Sequence, residues 1–379
     1  MRSKQVLITG ADGYLGLRVA KKYLEGTGDR LVLWVRSSDA SEFLAKKENL
    51  ARQIDDREDR VTYHWGDLVG EDPFRSLDPG DITSVIHSAA VTRFNVDETT
   101  ARQVNIDGSE KILRFASSCP SLESIGLLST VYASGLKAGD VEESPLDGSA
   151  GFANHYERSK WLSETTLLRE FDNLPWRILR VATVIADSDD GHVSQFNAFH
   201  NTLKLFYYGL LSLIPGRPDT PVYFVTGEFA AGAVVELMET SKSKTIFNIA
   251  HSSSESVALG ELIDLAFETF ERKSDFKARR ILRPLFSDAE SFDLLVDGIS
   301  AFGGGIVNQA VSSVAPFGKQ LFIHKQIRNH NVVAGLKNYK APDAKKLIRN
   351  TCEYLVRTRW GKRTDTSENN DRAHESPIA

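Results

Sequence analysis

Short apolar runs alternate with amphipathic helical stretches through the first 190 residues. This alternation predicts an α/β protein built on a doubly wound parallel sheet. The N-terminus supplies the clearest unit: "QVLI", then "TGADGYLG", then "LRVAKKYLEG". The first piece reads as a buried parallel strand over Gln5–Ile8. The last has helical spacing, with Leu17, Ala20 and Leu24 on one face. Beyond about residue 190 the pattern loosens, which predicts a smaller, mostly helical C-terminal region.

The remaining strands follow in order. Strand 2 is expected at 30–36, strand 3 within 60–68, strand 4 at 84–90, strand 5 at 124–130 and strand 6 at 176–185. Residues 196–211 read as one apolar, aromatic helix, and 215–225 as a Pro-rich loop leading into a strand. A helix at 227–240 and a last strand of the main sheet at 245–251 follow. The expected division is a nucleotide-binding domain over 1–250, with an insertion at about 190–225, and a substrate region over 251–362. The polar tail 363–379 has no apolar face and is expected to be disordered.

Composition narrows the function. The 379-residue chain can bury a full core, and its net charge of −5 argues against a nucleic-acid partner. Two distant cysteines, Cys119 and Cys352, exclude a disulfide framework and a cysteine-based zinc site. No metal is expected. No apolar run reaches the ~18 residues of a membrane span. The chain enters a strand almost at once, leaving no room for a signal peptide, so a cytoplasmic location is expected. Charge is uneven: residues 271–363 hold 18 Lys and Arg against 8 Asp and Glu. That basic region predicts solvated helix faces or a surface for a phosphate-bearing or acidic partner.

The glycine turn predicts a dinucleotide site. Gly10 makes the tight turn, Gly13 lets the backbone approach a pyrophosphate, and Gly16 lets the helix pack closely on the sheet. The helix N-terminus then faces the phosphates. Strand 2 ends in "LVLWVRSS", with Arg36 where an NAD site usually holds an acid. A guanidinium attracts a 2′-phosphate, so NADP(H) is expected over NAD(H). Asp67, after strand 3, reads as an adenine contact or a turn cap. "HSAA" (87–90) ends strand 4 in small residues that let the backbone lie against a cofactor, and His87 reads as structural.

A second constellation lies downstream. "STVYASG" (129–135) ends strand 5, and "NHYERSKWLSE" places Tyr156 and Lys160 on one helical face. A phenol is a poor proton shuttle at neutral pH unless a nearby ammonium and a positive nicotinamide ring favour phenolate. A hydroxyl from Thr130 or Ser129 would bind the same carbonyl oxygen that Tyr156 protonates.

Together "GADGYLG", "HSAA", "STVY" and "YERSK" resemble the extended short-chain dehydrogenase/reductases. "HSAAVTRFN", "VNIDGSEKIL" and "GFANHYERSKWLSE" look like the thioester-reductase and fatty acyl-CoA reductase branch, with its male-sterility-type NAD-binding domain. The resemblance implies Thr130, Tyr156 and Lys160 as the catalytic set. It makes Gly10, Gly13, Gly16, Arg36, Asp67 and Asn105 cofactor or scaffold residues; Tyr14, Leu15, Leu68 and Ala89 complete the expected cofactor-binding set. Two departures stand out: Val181 replaces a frequent proline after the strand 6 arginine, and "STVYA" replaces "STAYV". The function implied is NADPH-dependent reduction of an acyl thioester, on coenzyme A or a carrier protein, to an aldehyde or alcohol. The expected assembly is a monomer or homodimer. The alternatives are a sugar-nucleotide epimerase or dehydratase, a ketone reductase, and a non-catalytic NADP(H) sensor. Arg36 and the apolar 196–213 stretch disfavour the epimerase.

Overall fold

Seven strands form one parallel sheet in the computed structural model, which describes residues 4–54, 59–301, 308 and 315–362. They are β1 (Gln5–Thr9), β2 (Arg30–Arg36), β3 (Val61–Gly66), β4 (Ser84–His87), β5 (Ser124–Thr130), β6 (Trp176–Val181) and β7 (Thr245–Ile249). Their order is β7-β6-β5-β4-β1-β2-β3, and every neighbouring pair is parallel. The chain starts in the middle, winds outward to β3, returns beside β1 as β4 and winds the other way. The reversal between β1 and β4 is the switch point at which doubly wound sheets bind ligands. The expected tail over 363–379 lies outside the described residues.

Apolar residues cover both faces of the sheet. One face packs Val6, Ile8 and Leu33 with Val19 and Ala20 of helix α1 (Tyr14–Gly26) and with Ala230 and Val234 of the helix Gly227–Thr240. The other packs Leu7, Val85 and Ile125 with Ile112 of the helix Gly108–Ser117 and Leu167 of the helix His155–Glu170. A separate apolar cluster lies in the C-terminal region. It joins Leu203 and Phe206 of the helix Ala198–Tyr207 to Phe267 and Phe270 of the helix Leu259–Phe270 and to Leu347 and Cys352 of the helix Ala344–Arg357.

Four elements are shorter than the sequence predicts, among them the last strand, expected to reach 251 but ending at Ile249. Strand 6 does not run to 185: it stops at Val181, and Thr183–Ala186 pairs with Phe224–Thr226 instead. The backbone leaves the sheet at Ala182, whose N–H still reaches the Ile249 carbonyl of β7 at 3.0 Å. Strand 4 ends at His87 because the small residues after it enter a loop. The helix expected over 196–211 spans Ala198–Tyr207. Asn197 and His200 form a capping box at its start, and Gly209, at φ +68°, ends it.

The helix His155–Glu170 meets the sheet through a polar seam. Arg180 of β6 donates from Nη2 to Glu164 Oε2 at 2.7 Å, with both side chains buried. Arg180 also donates to the carbonyls of Glu142 (3.2 Å) and Ser144 (3.0 Å), and Ser129 Oγ donates to Glu164 Oε1 at 2.5 Å. Removing one partner of such a pair leaves an uncompensated buried charge. Glu164→Leu is therefore expected to cost about 3–5 kcal/mol, read as a lower urea midpoint with an unchanged slope.

Candidate active site

The turn between β1 and α1 has the tightness that the three glycines predict. Gly10 has φ +66°, and a Cβ there would lie 2.7 Å from the Ala89 Cα. A Cβ at Gly16 would lie 2.2 Å from the Gly10 carbonyl oxygen. Gly13 N–H donates to that same oxygen at 2.9 Å and is the N-cap of α1. No side chain caps this N-terminus, and no acid stands in its first turn. The result is an open cradle of backbone N–H groups at the positive end of a 13-residue helix, which fits a pyrophosphate.

Arg36 stands at the exposed end of β2, and its guanidinium makes no ion pair or hydrogen bond among the described residues. The register places it opposite Gly66, so it adjoins Asp67 and Leu68 after β3. Asp67 Oδ1 accepts from Val69 N at 3.0 Å and caps its own turn. Leu68 is buried in the core and faces Gly108, where a Cβ would touch it at 3.0 Å. After β4, Ser88 and Ala90 line the central cavity, and Ala89 between them packs against Gly10. His87 is structural: buried, it pairs with Thr9 Oγ1 at 2.8 Å and Ser109 Oγ at 3.2 Å.

Asn105 is a scaffold residue. It sits in a π-helical stretch, Ala101–Asp107, within the helix that follows the β4 loop. Its side chain accepts from Val91 N (2.8 Å) and donates to Val91 O (2.9 Å) and to Ser159 Oγ (2.9 Å). One amide thus ties the loop after β4 to the helix that carries Tyr156.

The cavity has a volume of about 490 Å3. It starts at Gly13, Tyr14 and Leu15, passes Thr130, Tyr156 and Lys160, and ends among Phe199, Leu203, Phe206, Ile214, Leu262 and Ile263. Burial pushes the Tyr156 phenol well above its ordinary value, against a lowering by the Thr130 hydroxyl beside it. Lys160 Nζ donates to the Leu128 carbonyl at 2.7 Å, and burial pulls it down to about 8, partly opposed by Glu164. The phenol lowering expected from sequence is therefore not a property of the protein alone; desolvation outweighs it. Of the two candidate hydroxyls, Ser129 is engaged by Glu164, whereas Thr130 faces Tyr156.

Several side chains escaped the sequence reading. Asp187 accepts from Tyr14 Oη at 2.7 Å and pairs with Arg18 at 2.6 Å and with His192 Nδ1 at 2.6 Å. It joins the start of α1 to the strand Thr183–Ala186; its only sequence cue is its place just after a strand end. Phe94 stacks on Phe317 at 5.1 Å and meets the Tyr156 ring edge-on at 5.8 Å. Phe94 lies within the quoted "HSAAVTRFN", but Phe317 follows no recognisable pattern. Among the described residues no group of His, Cys, Asp or Glu could hold a metal. No described helix is long and apolar enough to cross a membrane.

Sheet order and glycine cradle define a Rossmann-type nucleotide-binding fold, with a helix-borne Tyr–Lys pair beside the cradle. The chain belongs to the male sterility protein family of NAD-binding domains, whose profile matches residues 8–234. It is 27% identical over 206 residues to D-lysergyl-peptide-synthetase subunit 3 of Claviceps purpurea, covering 50% of this chain and 11% of that protein. It is 24% identical over 278 residues to the Fatty acyl-CoA reductase wat of Drosophila melanogaster, covering 62% of this chain and 54% of that one. The chain thus spans only part of these relatives. A similar solved structure is the terminal R domain of the myxalamid PKS-NRPS biosynthetic pathway, with TM-score 0.74 and 20% identity over 96% of this chain and 93% of that one.

The Asn105 clamp is open to test. Asn105→Ala orphans Val91 N–H and is expected to cost about 2 kcal/mol. Amide exchange at Val91 is then expected to speed up by roughly 30-fold, with the far strands β3 and β7 unaffected.

Proposed function

We propose that the protein is an NADPH-dependent reductase that converts an acyl thioester to an aldehyde or alcohol. One observation carries the reading: the cavity runs without a break from the glycine turn, past Thr130, Tyr156 and Lys160, into an apolar pocket. The relatives named a fatty acyl-CoA reductase and a peptide synthetase subunit agree with an acyl group on coenzyme A or a carrier. The excess of Lys and Arg over 271–363 suits the phosphates of either thiol.

The chain's own residues divide the work as follows. The uncapped N-terminus of α1 and the glycine turn hold the dinucleotide phosphates, and Arg36 attracts a 2′-phosphate. A bound nicotinamide supplies the hydride. Thr130 donates a hydrogen bond to the substrate carbonyl oxygen, and Tyr156 delivers the proton that oxygen needs as its carbon is reduced. The resulting hemithioacetal then gives its hydroxyl proton back to the Tyr156 phenolate as its carbon–sulfur bond breaks, and the departing thiolate takes up that proton to leave as the thiol beside the aldehyde. Lys160, which donates to the Leu128 carbonyl, would hold the nicotinamide ribose, and its ammonium would favour release of the Tyr156 proton. Apolar walls at Phe199, Leu203 and Phe206 take the acyl chain and exclude water.

Two measurements test this. In the first, NADPH or NADH is mixed with acyl-CoA thioesters and aldehydes, and loss of reduced nicotinamide is followed. Wild type is expected to oxidise NADPH with a thioester. Tyr156→Phe is expected to lower kcat by about 10²–10⁴-fold, and Arg36→Ala to cut the NADPH-over-NADH preference by roughly tenfold. Full activity in Tyr156→Phe would remove Tyr156 as the proton donor.

The second is a pH profile. Lys160 is the group lowered to about 8, so its ammonium is present below that pH and lost above it. The kcat is expected to fall above pH 8, and a Lys160→Met variant should run low and flat through the same range. Stability moves the other way. An unfolded lysine keeps its proton up to 10.5 while the folded one releases it near 8, so this group's contribution rises with pH between the two.

A further inference from the structure

A buried polar cluster lies behind the catalytic hydroxyls, and its members come from three distant parts of the chain. Glu157, next to Tyr156, is fully buried. Its carboxylate accepts from Ala153 N at 3.0 Å and from Asn154 Nδ2 at 3.1 Å, while Glu157 N donates to Asn154 Oδ1 at 3.0 Å. Glu157 thus fixes the first turn of the helix His155–Glu170, where Tyr156 sits. Thr130 begins the 3-10 turn Val131–Ser134, and Gly135 ends that turn at φ +57°. A Cβ at Gly135 would lie 2.0 Å from the Gly151 carbonyl oxygen, so this turn and the loop before Tyr156 are pressed together.

The C-terminal region reaches into this junction. Lys325, buried, donates from Nζ to Ser134 Oγ at 2.9 Å and to the Gly135 carbonyl. Gln320, also buried, donates to the same Gly135 carbonyl at 3.0 Å and to Glu157 Oε2 at 2.8 Å. Lys325 is the cation that offsets the Glu157 charge, with Gln320 bridging the two. One lysine therefore touches the turn that begins at Thr130 and compensates the acid in the first turn of the Tyr156 helix.

We propose that Lys325, acting with Gln320 and the buried carboxylate of Glu157, is a positioning residue that sets the distance between the Thr130 and Tyr156 hydroxyls. The proposal rests on the reductase reading of those two hydroxyls. Stability alone accounts poorly for the cluster. Burying an ammonium and a carboxylate costs about as much as their attraction returns. Gln320 Oε1 is also buried with no partner among the described residues, which a purely structural network would avoid. The backbone of Lys325 is held separately: Lys325–Ile327 pairs with Gly139–Val141, and the Lys325 carbonyl accepts from Tyr223 Oη at 3.0 Å. Loss of the side chain leaves that anchoring intact.

The test compares wild type, Tyr156→Phe, Lys325→Met, Glu157→Gln and the double variant Lys325→Met/Glu157→Gln. Each is assayed with NADPH and the carbonyl substrate that wild type turns over fastest, and each is melted thermally. Positioning predicts that Lys325→Met lowers kcat at least tenfold with KM for NADPH changed less than threefold. The double variant, which removes both charges, should regain most of that loss. If Lys325→Met lowers only the melting temperature, or if the two single losses multiply in the double variant, the positioning role is overturned and the catalytic reading stands. If Tyr156→Phe keeps wild-type turnover, the catalytic reading itself fails, and this inference with it.

Discussion

The helix His155–Glu170 must bury polar groups against a sheet, and the site depends on how it does so. Tyr156, Lys160 and Glu164 recur every four residues and share its inner face. An apolar partner could not receive that stripe, because each unpaired group would cost on the order of 1–3 kcal/mol or more. The opposing surface answers each group: Thr130 for the phenol, the Leu128 carbonyl for the ammonium, and Arg180 with Ser129 for the carboxylate. These partners come from β5 and β6, so the register of those strands fixes the height of each hydroxyl. The same pairing shows how Ser129 and Thr130, adjacent in sequence and both lining the cavity, divide the labour: Ser129 is engaged by Glu164, and Thr130 meets the Tyr156 phenol.

The parts of this structure governed by local rules were legible in the sequence. Glycines at 10, 13 and 16 between an apolar run and an amphipathic helix leave few other folded outcomes, because their spacing demands close backbone contacts. The Tyr156–Lys160 spacing likewise specifies a shared face. What escaped depends on long-range contacts. Phe317, Gln320 and Lys325 reach the site from more than 150 residues beyond Tyr156, in a stretch without periodic pattern. Asp187 gathers Tyr14, Arg18 and His192 only once the strand Thr183–Ala186 has left the main sheet. The single-strand reading of 176–185 hid that departure: its apolar residues continue past the break at Ala182, and apolarity alone does not say which sheet a strand joins.

The same division separates cofactor from substrate. The cofactor end is built from consecutive units of β-strand, turn and helix, and the turns at the C-terminal ends of β1, β2 and β3 supply its candidate contacts. The apolar end of the cavity is assembled from the helices Ala198–Tyr207 and Leu259–Phe270 and from short strand pieces. Those elements share an apolar cluster with the helix Ala344–Arg357 that is distinct from the two clusters under the sheet. Changes on that side can reshape the pocket without disturbing the strands that set Thr130 and Tyr156.

The chemistry of the pocket walls bears on the choice between an acyl and a sugar substrate. Lys160 and Asp187 are the charged residues among those lining the cavity, and Asp187 is already committed to Tyr14, Arg18 and His192. Beyond Tyr156 the walls include Phe199, Leu203, Phe206, Leu211, Ile214, Leu262 and Ile263, with Thr183, Gln195, Asn197 and Thr202 as polar members. A pyranose ring placed there would strip water from several hydroxyls and find few partners, at roughly 1–3 kcal/mol for each. An alkyl chain would instead gain about 0.8 kcal/mol per buried methylene. These opposite signs favour the proposed acyl substrate over a sugar. Specificity of this kind would rest on the apolar walls and on Thr183, Asn197 and Thr202 being engaged within the chain itself.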